Sequence, residues 1–339
     1  MTSDAPIRVD VLTGFLGSGK TTLLRRLLST PALADTAVRI NELGDVGIDH
    51  LLVETLDDDV VLLPSGCICC TLRGDLAQAI RDLHARRATG TVPHFRRLVI
   101  ETTGLADPTP ILSTVLHEPM LRHQFALGQV ITTVDGVTGL ADLDRHPETI
   151  KQAAVADRLV ITKRDLAAPA TLAALSRALR AINPVAPLLD AVHGAVVDPA
   201  LLFGDDASRA AAIVPWRLDA AAASHAHESS HHGDICACTL TLDRPIAWEA
   251  FAVWLTMLLN RHGTDLLRLK GVLHIAGTDG PVVVQGVQHA VYPPEHLAAW
   301  PFADQRSRLV IIGRNLDAAA LGRSLATFEA LGARVSAAR

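Results

Sequence analysis

Apolar residues enter this chain in short runs, each closed by a polar or glycine-bearing segment. IRVDVLTG (7–14), DVVLLPSG (59–66), RRLVIETTG (96–104), QVITTVDG (129–136) and RLVITKRD (158–165) read as buried strands. Compact runs rich in Val and Ile and bounded by turn residues suit the middle of a sheet. Between them, TTLLRRLLS (21–29) carries apolar and basic residues at helical spacing, and ALRAIN (178–183) closes a helix ahead of Pro184. Strand alternating with helix predicts an α/β domain over residues 1–205, built on a mainly parallel sheet. Ligands of such sheets bind beyond the carboxyl ends of the strands, where the loops that close these runs would gather.

The alternation lapses over residues 206–234, which are rich in Ala, Ser, His and Asp and read as a flexible linker. It resumes with an alternating strand, ICACTLTLDRP (235–245), and an amphipathic helix from about Trp248 to Leu267. Strands VLHIAG (272–277), PVVVQGVQHAV (281–291) and SRLVIIG (307–313) follow, then a helix over Asp317–Leu331. This β-α-β-β-β-α order predicts a smaller α+β domain over 235–339. No internal repeat is visible.

Composition narrows the class. Of 339 residues, 49% are hydrophobic and 20% charged, which predicts folded domains rather than general disorder. A net charge of -5 argues against nucleic acid as a partner. The longest apolar run, FAVWLTMLL (251–259), is half of the roughly 18–20 residues a membrane span needs. The start, MTSDAPIRVD, lacks the apolar core of a signal peptide. The expectation is a cytoplasmic protein with no membrane partner, whose thiols stay reduced.

GFLGSGKT (14–21) fits G-x-x-x-x-G-K-[ST] between a predicted strand and a predicted helix. Gly14, Gly17, Ser18 and Gly19 would let backbone N–H groups converge on phosphate oxygens. Lys20 would meet the β and γ phosphates, Thr21 would ligate Mg²⁺, and Thr22 extends the helix whose N-terminus favours an anion. The strand RRLVIETTG ends in E-x-x-G. Glu101 is placed to hold Mg²⁺ directly or through water, and Gly104 to meet the γ-phosphate with its N–H. Ras-type GTPases follow that glycine with a water-orienting glutamine; here Leu105 stands there, which predicts slow intrinsic hydrolysis, below about 1 s⁻¹. Thr162, Lys163 and Asp165 form T-K-x-D at a further strand end. The Asp165 carboxylate would accept from guanine N1–H and its exocyclic amine, a donor pair adenine lacks. Thr162 occupies a position usually held by Asn and would contact the base more weakly.

PSGCICC (64–70) gathers Cys67, Cys69 and Cys70 between the phosphate loop and the E-x-x-G strand. Three thiolates so close suit one soft or borderline cation such as Zn²⁺; interior packing and redox chemistry are the alternatives. NELGDVGID (41–49) lies in the same interval, where Glu42 or Asp45 would complete a metal site and Asp49 would face Mg²⁺. HAHESSHHGD (225–234) adds His225, His227, His231 and His232, followed by Cys236 and Cys238. They read either as an accessory collector of Zn²⁺, Co²⁺ or Ni²⁺ or as a low-complexity linker leading into core cysteines.

GFLGSGKTTLL, NELGDVGID, GCICC, ETTGLADP (101–108) and TKRD, in this order, resemble the CobW-like metallochaperone GTPases, relatives of the urease and hydrogenase nickel-insertion GTPases. LLRLKGVLHIAG (266–277), VVVQGVQHAV (282–291) and RLVIIGRNLD (308–317) extend the likeness to the second domain. The resemblance implies a P-loop GTPase domain with a CobW C-terminal domain. It implies a metal, usually zinc and sometimes cobalt, bound by Cys67, Cys69 and Cys70 with Glu42 nearby, and delivery of that metal to a client metalloprotein at the expense of GTP. A homodimer is left open. Two other readings remain: a metal-storage or sensing protein that binds GTP with negligible turnover, kept alive by Leu105, and a P-loop phosphotransferase, which would leave TKRD and GCICC unexplained.

Overall fold

The computed structural model describes residues 5–41, 54–57, 60–62, 68–71, 76–191, 198–204, 235–300 and 304–337, with backbone alone for those between 39 and 71 and beyond 331. Contacts divide the chain into two units, Met1–Ser176 with Ala186–Ser208, and Arg177–Val185 with Arg209–Arg339.

The first unit runs β1 (Ile7–Gly14), α1 (Lys20–Leu28), β2 (Thr36–Asn41), β3 (Glu54–Asp57), β4 (Val60–Leu62), β5 (Ile68–Thr71), α2 (Leu76–Ala88), β6 (Arg97–Thr102) and α3 (Thr109–His117). It continues with β7 (Phe125–Asp135), α4 (Gly139–Arg145), α5 (Pro147–Val155), β8 (Arg158–Thr162), α6 (Pro169–Ile182, counted with the second unit from Arg177 on), β9 (Leu188–Asp190) and α7 (Pro199–Phe203). One sheet takes the strands in the order β3-β4-β5-β2-β6-β1-β7-β8-β9. It is parallel from β5 to β9, and β3, β4 and β5 pair antiparallel at one edge. The central strands are apolar almost without a break because helices cover both faces. Leu23, Leu24, Leu27 and Leu28 of α1 pack on Leu12, Val38, Val99, Ile131 and Val160. Of the expected strand over 59–66 the described part is Val60–Leu62, and Cys69 and Cys70 lie in a separate strand.

A carboxylate lies deep inside this sheet. Asp10 of β1 is fully buried and pairs with Arg97 of β6. It also accepts from the Gln129 N–H at 2.5 Å. A Cβ on Gly128 would fall 2.1 Å from its carboxylate, so the neighbouring strand must carry glycine there. Burial raises the Asp10 pKa, against the opposing pull of Arg97, the Gln129 N–H and Arg8. A raised carboxyl pKa means the folded state holds the proton more tightly than the unfolded chain. Stability from this group is therefore greatest below the ordinary value of 3.8 and falls as pH rises through the shifted one. Arg97→Ala is expected to destabilise the fold by about 3 kcal/mol at pH 8, through a buried charge without its cation. The loss should shrink as pH falls and Asp10 can take a proton; urea unfolding over a series of pH values checks this.

The second unit comprises β10 (Ile235–Leu242), α8 (Trp248–His262), β11 (Leu266–Leu273), β12 (Val282–Val287), β13 (Ala290–Val291), β14 (Glu295–His296), β15 (Ser307–Arg314) and α9 (Ala318–Ala337). Its sheet, in the order β10-β15-β11-β12-β13 with β14 beside β12, is antiparallel. Phe251, Trp254, Leu255 and Leu258 of α8 and Leu321 and Leu325 of α9 pack over Leu240, Leu269, Leu309 and Ile311. The expected helix to Leu267 stops at His262, and residues 266–273 are a strand. At Gly263 a Cβ would fall 2.0 Å from the His289 ring, so the chain turns there against a neighbour that only glycine admits. LLRLKGVL is buried throughout, so its apolar spacing did not separate helix from strand. The run over 281–291 breaks at Gln288, whose φ of 50 makes the turn between β12 and β13.

Candidate functional site

The phosphate loop leaves β1 at Gly14 and enters α1 at Lys20. Gly14, Gly17 and Gly19 all have positive φ, of 142, 71 and 88. At Gly14 a Cβ would also lie 2.3 Å from the Thr133 hydroxyl of β7, so both backbone and space demand glycine. The Ser18 and Thr133 hydroxyls lie 2.7 Å apart, which ties the loop to the sheet. Lys20 is buried, and its Nζ donates to the carbonyls of Gly14 and Phe15 at 2.9 and 3.0 Å, across the loop that its own backbone forms. Thr21 donates to the Glu101 carboxylate at 2.6 Å, and Glu101 is itself 2% exposed at the end of β6. Thr22, one residue on, is exposed. Phosphate loop and acidic strand end therefore meet as the sequence anticipates, hydroxyl against carboxylate.

Gly104 brings the next loop onto this one. A Cβ there would lie 2.5 Å from the Leu16 nitrogen, a contact that any larger residue would break. Leu105, in contrast, points outward at 55% exposure.

The base-motif strand contributes differently from expectation at one position. The Thr162 hydroxyl is buried and donates to the Ser18 carbonyl at 2.7 Å and more distantly to the Val134 carbonyl. It ties β8 to the phosphate loop, so its donor is spent on backbone. Lys163 adopts φ 50 and donates to Asp135 at 2.6 Å. Asp135 in turn accepts from the Val137 N–H at 2.8 Å and fixes the loop after β7. Asp135 belongs to no motif, and its one signal in the sequence is an acid at the end of a strand that neighbours the base motif. Asp165 is exposed on the single turn after β8, where Arg164 pairs with Asp190.

Cys69 and Cys70 are placed by their backbone. They pair in register with Val38 and Arg39 of β2, and Arg39 pairs on its other side with Ile100, the residue before Glu101. Cys67, Glu42, Asp45, Asp49, His225, His227, His231 and His232 lie outside the described residues. Cys236 and Cys238 share one face of β10, with both sulfurs directed at the Leu316 carbonyl at 3.6 and 3.9 Å. Contact with the Cys236 thiol, burial and the nearby Asp317 together push the Cys238 thiol pKa upward. Cys238 packs within the apolar core and Cys236 against it.

A strand, a glycine loop and a helix aligned in this way are shared by many nucleotide-binding proteins, so the decision rests on the whole chain. Residues 8–190 match the model of the CobW/HypB/UreG nucleotide-binding domain. The chain belongs to that family. Residues 235–329 match the cobalamin synthesis protein cobW C-terminal domain. The chain is 33% identical to the zinc chaperone YjiA of Escherichia coli, over 92% of its own length and 95% of the relative. The zinc chaperone CobW of Pseudomonas aeruginosa is 31% identical, over 95% of this chain and 92% of that one. Among solved structures, Zn(II)-bound YjiA GTPase from E. coli superposes with a TM-score of 0.73 at 32% identity, covering 96% of this chain and 99% of that one. Among the described residues no helix is long and apolar enough to cross a membrane.

Proposed function

We propose that this CobW-family chain is a GTPase metallochaperone that takes up a transition metal, zinc first, at Cys67, Cys69 and Cys70 and hands it to a client metalloprotein in the cytoplasm. Relatives of nearly full matching length are named zinc chaperones, and a further one, from Schizosaccharomyces pombe, is named a zinc-regulated GTPase metalloprotein activator. The observation that carries the reading is the register across three strands. The cysteine-bearing β5 and the strand that delivers Glu101 are both paired to β2, so a metal site and a phosphate site are separated by a single shared strand.

Lys20 exchanges its two loop carbonyls for phosphate oxygens as the triphosphate enters. The Thr21 hydroxyl and the Glu101 carboxylate form a pair of hard oxygen donors that fits Mg²⁺, Thr21 directly and Glu101 directly or through water. Bound there, Mg²⁺ would offset the negative charge developing between the β and γ phosphates. Gly104 presents its N–H to the γ-phosphate, while Leu105 brings no hydrogen-bonding group to the attacking water. Intrinsic turnover is accordingly slow, below about 1 s⁻¹, and client or metal supplies the acceleration. Asp165 selects guanine.

The test is phosphate release from GTP and from ATP by chelated protein, with Zn²⁺, Co²⁺ and Ni²⁺ restored in turn and candidate clients added. GTP should be hydrolysed in preference to ATP, and faster with the cognate metal and client present. Asp165→Asn should narrow the GTP-over-ATP ratio by about 10- to 100-fold, the value of charge-assisted hydrogen bonds to the base. Transfer of the γ-phosphate to a small molecule would instead establish a phosphotransferase, and absence of turnover under every condition a storage or sensing protein.

A further inference from the structure

The loop that carries Gly104 is gripped from behind. Gln152 of α5 is fully buried, and its Nε2 donates to the Gly104 carbonyl at 3.2 Å and to the Ala106 carbonyl at 3.0 Å. These are the two carbonyls flanking Leu105. Both groups facing the amide nitrogen are acceptors, so the orientation of the amide is fixed by chemistry. Its other end, Oε1, is buried without a hydrogen-bond partner, and so is the hydroxyl of Thr149 one turn earlier on the same helix. A buried acceptor left unmatched calls for an explanation beyond packing, because an apolar side chain of the same shape would avoid its cost.

The rest of α5 and its N-cap touch the same two loops. Lys151 lies 3.8 Å from Asp107. His146, which caps the helix, stacks on Phe15 of the phosphate loop with ring centroids 4.4 Å apart. The helix is anchored to the sheet beneath by the Thr132 hydroxyl, which donates to the Gln152 carbonyl at 2.8 Å. One short helix therefore holds the phosphate loop at its start and the E-x-x-G loop at its centre.

We propose that Gln152 is a positioning residue for GTP hydrolysis: by clamping the carbonyls of Gly104 and Ala106, it holds the loop in the place where the Gly104 N–H can meet the γ-phosphate. Ras-type enzymes place a glutamine in the loop itself, where it orients water. Here the loop carries a leucine directed to solvent, and a glutamine from a neighbouring helix sets the loop. The held Gly104 carbonyl fixes the peptide that directly follows the Gly104 N–H, and the Ala106 N–H closes the loop on the Thr103 carbonyl at 3.1 Å, so Gly104 keeps its close approach to the phosphate loop at Leu16.

The inference rests on the assignment of Gly104 to the γ-phosphate, and the test separates the two. Gln152→Met keeps the shape of the side chain, removes both polar ends and adds no buried charge; Gln152→Glu keeps the shape and replaces the donor by an acceptor. Single-turnover hydrolysis of GTP by the full chain, and affinities for GDP and for a non-hydrolysable GTP analogue, are measured for both. The expected result is a hydrolysis rate more than tenfold lower, with GDP affinity within threefold of wild type. A rate within threefold of wild type in Gln152→Met, or a loss of GDP affinity in proportion to the loss of rate, overturns the proposal. Gly104→Ala is the control. If it hydrolyses GTP normally, the assignment of Gly104 falls and this inference with it. If it is inactive while Gln152→Met is normal, the assignment stands and the clamp alone is refuted.

Discussion

Lys20→Ala should lower affinity for GTP by at least about 100-fold and abolish measurable hydrolysis, while the thermal midpoint of the protein without nucleotide shifts little. The magnitude comes from what the ammonium does in each state. In the structure Nζ donates to carbonyls of the loop that follows β1, at Gly14 and Phe15. The loop is also tied to the sheet without Lys20, through the Ser18 and Thr133 hydroxyls and the Thr162 hydroxyl on the Ser18 carbonyl. Against a triphosphate the same group makes charge-assisted contacts to the β and γ oxygens, each worth about 1.5–3 kcal/mol. Two of them amount to a factor of about 100 or more in affinity. Calorimetric titration with GDP and a GTP analogue, beside a melting curve, checks both halves. Unchanged affinity would remove the phosphate-loop assignment, and a collapse of the melting temperature would mean that Lys20 holds the loop together.

Much of this site could be read in advance because its chemistry is local in sequence. A glycine loop between a strand and a helix allows few conformations, and Gly14, Gly17 and Gly19 take the positive φ values it needs. Glu101 was legible for the same reason: an acid that ends an apolar run emerges at the carboxyl end of its strand, and here it meets Thr21. What escaped depends on strand order, which no local pattern encodes. Gln152 is one polar residue in a short helix, and nothing within ten residues of it announces contact with Gly104, 48 positions earlier. Asp135 and Thr162 also act across strands, one on Lys163 and the other on Ser18. In the second unit, LLRLKGVL was missed as a strand because it is buried on both sides, and its charged members find partners inside. Arg268 is fully buried, donating to Gln285 and to the Tyr292 hydroxyl.

The largest effect on metal binding is expected from the cysteines of β5. Replacing Cys69 and Cys70 by serine together should weaken Zn²⁺ binding by at least about 1,000-fold, because a serine hydroxyl is a far poorer ligand for a borderline cation than a thiolate. The more informative measurement is the same titration in the presence of GDP or of a GTP analogue. Cys70 pairs with Arg39, Arg39 with Ile100, and the next pair in that ladder is Ile40 with Glu101. A shift of Glu101 on gaining a metal–triphosphate complex must pass through β2 to reach β5, since hydrogen-bonded strands do not move independently. A differential of about 1.4 kcal/mol between nucleotide states would appear as a tenfold change in zinc affinity. Linkage then requires zinc to change affinity for the GTP analogue relative to GDP by the same factor. Both titrations on the wild-type protein, and both again on the serine variant, close the cycle. Equal zinc affinity in the GDP and GTP-analogue forms would leave two neighbouring sites without communication, and hydrolysis could then not drive release of the metal.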